Sequence, residues 1–168
     1  TDLAFDATKL GDEKETDLER DVGRWAKAFA SVEDDLRGGV LQERVREGLE
    51  ASRPTALPSV ILHGDFRLGN MQVEGTTIHA LIDWEIWSLG DPRLDLAWFL
   101  LNSDPRHPSS RAAGQARMPE AKRLLEAYHE ANGRDVSGLG WFGALVRYKQ
   151  AAASALIVKN SRRLAKEG

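Results

Sequence analysis

HGDFRLGN, residues 63–70, places a histidine, an aspartate, an arginine and an asparagine directly after the apolar run Val60-Ile61-Leu62. Two readings compete for it. An Asp and an Asn in a short loop are ordinary turn chemistry, because both side chains cap backbone groups. The same residue types on a loop anchored by a buried strand also make a catalytic loop, since function gathers on loops held by a rigid scaffold. The sequence on either side separates the two.

Downstream lie two more β-type runs, Met71-Gln72-Val73 and Ile78 to Ile82, with Gly75 marking a turn. In the last run Ile78, Ala80 and Ile82 alternate with His79 and Leu81. Residues 60–83 therefore read as a compact β region with the polar loop between its first two strands. A hairpin between the first and third strands would bring Asn70 and Asp83 together. The flanks are helical. Leu18, Val22, Trp25, Ala26, Phe29 and Val32 form one stripe of a helix from Glu13 to about Leu36. Thr16 and Glu19 suit a capping box, and Gly38-Gly39 an end. A second helix covers 40–51 with Leu41, Val45 and Leu49 inward, and Pro54 and Pro58 bracket a loop. Helices follow over 94–101, 119–132 (ended by Gly133) and 141–164, with a loop at 104–110. There is no internal repeat. Residues 1–12 read as a linker or tail.

Four features cluster around the β region. Asp65 precedes Asn70 by five positions with Arg67 between. Asp83 stands in LIDWE, Asp91 in Gly90-Asp91-Pro92, and Asp95 at a helix start in RLDLAWFL. Phosphoryl transfer needs a carboxylate near the attacking hydroxyl, Mg²⁺ on hard oxygen ligands, and positive charge near the moving group. Asp65 offers the carboxylate. Asn70 and Asp83 offer oxygens that suit Mg²⁺ better than zinc. Arg67 is permanently charged and forked, as phosphate recognition prefers. Plainer readings stand beside these. Arg67 is equally placed to pair with Asp91, Asp95 or Glu85. His63 reads as a satisfied core histidine, Asp95 as a helix N-terminal charge, and Trp84, Trp87 and Trp98 as core.

HGDFRLGN resembles the catalytic loop H-x-D-x-x-x-x-N of the aminoglycoside phosphotransferase and choline kinase-like family, which shares the protein-kinase fold. IDWE resembles that family's metal-binding aspartate segment, and SLGDPRLDLAWFL its G-D-P-x-x-D-L-A stretch. The likeness covers residues 60–101 directly, with the motifs in the family's order, and is nearest to the branch associated with acyl-CoA dehydrogenases. It implies an α+β, mainly helical fold: the C-terminal lobe of a protein-kinase-like fold, with a small β patch carrying the catalytic loop. It implies Asp65 as catalytic base or orienter and Arg67 near the γ-phosphate. Asn70 and Asp83 would hold Mg²⁺, His63, Asp91 and Asp95 would support the loop, and Glu85 and Trp87 would line an acceptor site. The cofactors implied are Mg²⁺ and ATP as phosphate donor. The family's N-terminal lobe, with a glycine-rich loop and a strand lysine, has no counterpart in residues 1–59. Residues 13–168 are thus expected to be a C-terminal catalytic and acceptor-binding lobe that is inactive alone.

Composition sets the outer bounds. The chain has 168 residues, no cysteine, 42 % hydrophobic and 29 % charged residues, and a formal net charge of −3. Disulfides and thiolate metal sites are excluded. No apolar run approaches the roughly 20 residues of a membrane span, and no signal peptide is visible. Mixed charge gives no case for a nucleic acid polymer or an anionic membrane. The expectation is a cytoplasmic ATP-dependent kinase of a small-molecule hydroxyl, with a metabolic acceptor such as a hydroxyacyl-CoA favoured over an aminoglycoside. The alternative from another class is a non-catalytic kinase-like remnant that binds or scaffolds a partner. A metal-dependent hydrolase using His63, Asp65 and Asp83 ranks third, because no second histidine follows at ligand spacing. The sequence sets no oligomeric state.

Overall fold

The computed structural model describes residues 15–107, 118–134 and 136–167. In chain order its elements are α1 (Leu18–Ala30), α2 (Gly39–Ala51), β1 (Val60–Leu62), β2 (Met71–Glu74), β3 (Thr77–Leu81), β4 (Ser88–Gly90), α3 (Arg93–Ser103), α4 (Ala121–Asn132) and α5 (Leu139–Glu167). Short 3₁₀ turns stand at Asp34–Leu36 and Leu68–Asn70. The tail at 1–12 and residues 108–110 of the expected loop lie outside the described residues. By contacts, the described residues fall into two compact units. One is Glu15 with Leu57–Leu139; the other is Thr16–Ala56 with residues 140–167.

The second unit is helical. α1 begins at Leu18 because the Asp17 carboxylate accepts hydrogen bonds from the amides of Glu19 (2.8 Å) and Arg20 (3.3 Å). The cap is thus one residue later than the expected Thr16–Glu19 box, an aspartate serving the same orphan donors. The helix stops at Ala30, short of Leu36, and the Arg37 guanidinium closes on the carbonyls of Val32 and Ala30. Gly38 and Gly39, with φ of +72° and +56°, start α2 instead of ending α1. Leu49 is buried as expected, but Leu41 is 70 % exposed. Eight residues turn a helix about 80° past two full turns, so the two leucines do not share one face. Along α5, Phe142, Leu145, Tyr148 and Ala152 are buried, and the Phe29 and Tyr148 rings lie 5.1 Å apart. The Trp141 indole donates to the Leu49 carbonyl at 2.9 Å, so this helix is fixed by polar as well as apolar contact.

The first unit carries the β patch. β2 and β3 form an antiparallel hairpin across the two-residue turn Gly75-Thr76, with Met71 opposite Leu81. β1 does not pair with the third strand, as the sequence suggested. It pairs antiparallel with β4, Val60 facing Gly90 and Leu62 facing Ser88. Local closure explains the choice: the β2–β3 loop is the shortest available, so its entropy cost is least, and β1 is left to Ser88–Gly90. Val73, Ile78 and Ile82 are about half exposed on the hairpin and just after it, and Trp84 and Ile86 are also exposed. α3 starts where the Asp91 carboxylate caps its first amide, accepting from Arg93 N at 3.0 Å. α4 ends at Gly133, whose φ of +64° lets its amide reach the His129 carbonyl at 2.7 Å. Among the described residues no helix is long and apolar enough to cross a membrane.

Candidate active site

The loop 63–70 is built from the backbone outward. β1 delivers buried Leu62, and the chain then turns sharply at Gly64, φ +84°. A Cβ on Gly64 would sit 2.5 Å from the Ile86 carbonyl oxygen, so only glycine lets the loop lie against the turn that follows Asp83. Gly64→Ala is expected to cost about 2–4 kcal/mol, from left-handed strain plus overpacking. A urea titration measures it; a loss under about 0.5 kcal/mol, the size of an ordinary surface substitution, would show that the close approach is not rigid.

One face of α3 then holds the loop residue by residue. The Asp95 carboxylate accepts from His63 N (2.6 Å) and Gly64 N (3.0 Å). One turn on, the Trp98 indole donates to Asp65 Oδ1 at 2.8 Å. Next to it, the Phe99 ring lies 5.4 Å from that of Phe66. Spacings of three and four place these side chains on one helix face. His63 is buried with both ring nitrogens engaged. Nδ1 accepts from Asp65 N at 3.3 Å, and Nε2–H donates to the Ile82 carbonyl at 2.8 Å, which fixes the tautomer. Its ring stacks 4.5 Å from Trp84.

Asp65 sits at the centre. Oδ2 accepts from Arg67 Nε and from Asn70 Nδ2, each at 2.9 Å, and Oδ1 from Trp98. Burial alone would push this carboxyl up, but the hydrogen bonds from Arg67, Trp98 and Asn70, with the Arg67 charge, outweigh it. The group is held below the ordinary aspartate range and stays ionised. Arg67 pairs with Asp65 itself, not with Asp91, Asp95 or Glu85. Only its Nε is used, so both terminal nitrogens of the half-exposed fork remain for another anion.

Asn70 is 4 % exposed, at the end of the 3₁₀ turn Leu68–Asn70. Its amide nitrogen is spent on Asp65, donating to the carboxylate and to the carbonyl oxygen at 2.9 Å, while among the described residues its Oδ1 accepts nothing. The hairpin brings Asp83 near, because Ile82 N donates to the Asn70 carbonyl at 3.0 Å. Asp83 holds φ +69°, the only positive value at a described non-glycine residue, and its carboxylate has no partner among the described residues. A strained backbone that presents an unpaired carboxylate points to a function outside the fold. No group of three His, Asp or Glu that would hold a metal by itself exists among the described residues. The donor set nevertheless fits Mg²⁺, which takes one or two carboxylates and fills the rest of its shell with water and phosphate oxygens.

The remaining sequence-nominated residues lie further out. Glu85 is exposed and Trp87 half-buried, both on the turn after Asp83, where Trp87 N donates to the Trp84 carbonyl at 3.1 Å. Asp91 does not reach the loop. It is 3 % exposed, accepts from Leu57 N (2.9 Å), and forms a two-pronged ion pair with Arg93, which is 2 % exposed and also donates to the Ser137 carbonyl (2.7 Å). Arg93 and Trp98 escaped the sequence reading. The signals were there: Arg93 stands two places after Asp91, and Trp98 three places after Asp95 on the same helix face.

A mainly helical unit pair, a carboxylate loop on a short strand, and oxygen donors at either end of a hairpin are the features of a kinase-like phosphotransferase fold. The chain belongs to the phosphotransferase enzyme family, whose model matches residues 4–142. It is similar to acyl-CoA dehydrogenase family member 10 of Mus musculus, 33 % identical over 86 residues, which is 50 % of this chain and 8 % of the relative. It is also similar to acyl-CoA dehydrogenase family member 11 of Pongo abelii, 28 % identical over 144 residues, 79 % of this chain and 18 % of the relative. Among solved structures, an aminoglycoside-3'-phosphotransferase of type VIII superposes with a TM-score of 0.61 at 25 % identity, covering 86 % of this chain and 55 % of that one. The chain thus spans under a fifth of these two curated relatives and about half of the solved phosphotransferase.

Proposed function

We propose that residues 13–168 are the catalytic and acceptor-binding lobe of an ATP-dependent phosphotransferase acting on a small-molecule hydroxyl. The supporting observation is the group formed by the ionised Asp65, the uncommitted Asn70 Oδ1 and the unpartnered Asp83. In the reaction the acceptor oxygen bonds to the γ-phosphorus as the bond from that phosphorus to the β–γ bridging oxygen breaks, and ADP leaves. The hydroxyl proton is drawn toward Asp65 and passes to solvent. Asp65 orients the hydroxyl, and the free nitrogens of Arg67 offset charge on the transferring group. Asn70 and Asp83 would hold Mg²⁺, which supplies charge neutralisation at the phosphates. Nucleotide phosphates also need donors from a second lobe, so this stretch alone is expected to be inactive.

The likeness to acyl-CoA dehydrogenase family members supports a hydroxyacyl-CoA as acceptor over an aminoglycoside, with Glu85 and Trp87 on the acceptor side. The test is ADP release by the complete protein with ATP and Mg²⁺, offered hydroxyacyl-CoAs and aminoglycosides in parallel. Transfer to neither, with no response to nucleotide, would leave a binding module. The metal assignment has its own check. Mg²⁺ with ADP is expected to raise the Tm of the complete protein. Asp83→Asn should remove most of that rise while changing the nucleotide-free stability no more than a neutral surface substitution does, about ±0.5 kcal/mol. Asparagine tolerates a positive φ, so the backbone loses nothing.

A further inference from the structure

We infer that Trp98 is a positioning residue of the transfer step, and that the acceptor hydroxyl meets Asp65 at Oδ1. The inference rests on the phosphotransferase reading above. A carboxylate has about four acceptor positions, two on each oxygen. Oδ2 spends both, on Arg67 Nε and Asn70 Nδ2, each at 2.9 Å. Oδ1 spends one, on Trp98 Nε1 at 2.8 Å. The remaining position is on Oδ1, so the oxygen that takes the hydroxyl is the one the indole aims. The carboxylate turns about its Cβ–Cγ bond, which moves both oxygens, and Arg67 and Asn70 resist that turn at Oδ2 alone. The third donor, on the other oxygen and carried by a helix, restrains the same rotation at Oδ1, the oxygen that keeps an open position. The Trp98 backbone is held in α3, where Asn102 Nδ2 also donates to its carbonyl at 2.9 Å. Asp95, one turn earlier, holds the loop backbone that carries Asp65. One helix face therefore sets both the backbone and the side-chain plane of the same residue.

Two substitutions separate this role from plain packing. Trp98→Phe keeps a ring and removes the N–H. Trp98→His keeps a five-membered ring whose Nε2 superposes on the indole Nε1. With the complete protein and its accepted hydroxyl substrate, Trp98→Phe is expected to lower kcat about 10- to 100-fold, the value of a hydrogen bond to a charged group. The KM for ATP should change less than about twofold, the size of a perturbation that touches only the acceptor side. Trp98→His should recover much of the loss, and in an Asp65→Asn background Trp98→Phe should add little. A structural readout needs no turnover. In a ¹H–¹⁵N spectrum of the complete protein, Asp65→Asn should move the Trp98 indole signal and leave those of Trp25 and Trp141 in place. An unmoved Trp98 signal, or an active Trp98→Phe enzyme with unchanged kcat, overturns the inference and leaves the phosphotransferase reading intact. Absence of transfer by the wild-type protein defeats that reading instead and takes this inference with it.

Discussion

Asp65→Asn in the complete enzyme is expected to lower phosphoryl transfer about 10²- to 10⁴-fold, the usual value of a group that handles a reacting proton. The reason is in the local hydrogen bonds. Arg67 Nε, Asn70 Nδ2 and Trp98 Nε1 all donate to this carboxylate. An amide has one acceptor oxygen. If that oxygen faces Arg67 and Asn70, its NH₂ confronts the Trp98 N–H and offers the substrate a donor where an acceptor is needed. The fold should survive, because Arg67 is half exposed and can be solvated. Steady-state kinetics beside a thermal melt give the check. A variant that melts normally and transfers at the wild-type rate would remove Asp65 from the chemistry.

Asp91→Ala carries the largest expected effect on stability, about 3–5 kcal/mol, because it removes the two-pronged carboxylate partner of the buried Arg93 guanidinium. Replacing both partners with apolar residues of similar volume should cost much less, since no buried charge then loses a partner. The pair also predicts a pH dependence. Burial alone would raise the Asp91 carboxyl, but the bonds from Arg93 and the Leu57 amide outweigh it, so the folded value lies below the ordinary one. A depressed carboxyl stabilises the fold fully above the unfolded value of about 3.9. That contribution disappears as pH falls below it through the lowered folded value. Urea midpoints measured from pH 6 downward should drop below pH ~4 in the wild type and less steeply in Asp91→Ala. Equal slopes would show that other carboxylates govern acid unfolding.

The site was legible in the sequence to the extent that its chemistry depends on residue type and spacing. His63, Asp65, Arg67, Asn70 and Asp83 lie on one short loop and hairpin, so sequence neighbours became spatial neighbours. Helix positions followed from apolar periodicity, while their ends shifted. Asp17 out-competed Thr16 as a cap, and Gly38 served the start of the next helix. The pairing of β1 with Ser88–Gly90 was hidden because that strand is three residues long and ends in glycine, with no alternation to mark it. Trp98 was hidden for a different reason. A tryptophan amid Leu, Ala, Phe and Leu reads as core, and only the fold shows that its one polar atom turns back to the loop. Arg93 was concealed in the same way: a buried arginine is known by its partners, Asp91 and Ser137, the second of them far along the chain.

The face of α3 has a consequence for how this chemistry can be moved between proteins. Among the described residues, the hydrogen bonds and ring contacts that fix loop 63–70 are made within residues 63–99, by Ile82, Trp84, Asp95, Trp98 and Phe99 and by the loop itself. Loop 63–70 is therefore not self-sufficient: the groups that fix it are spread over the segment from β1 through the second turn of α3. Grafting HGDFRLGN alone onto another scaffold would transfer the reactive groups and leave behind the donors that aim them. Grafting residues 60–99 would carry both.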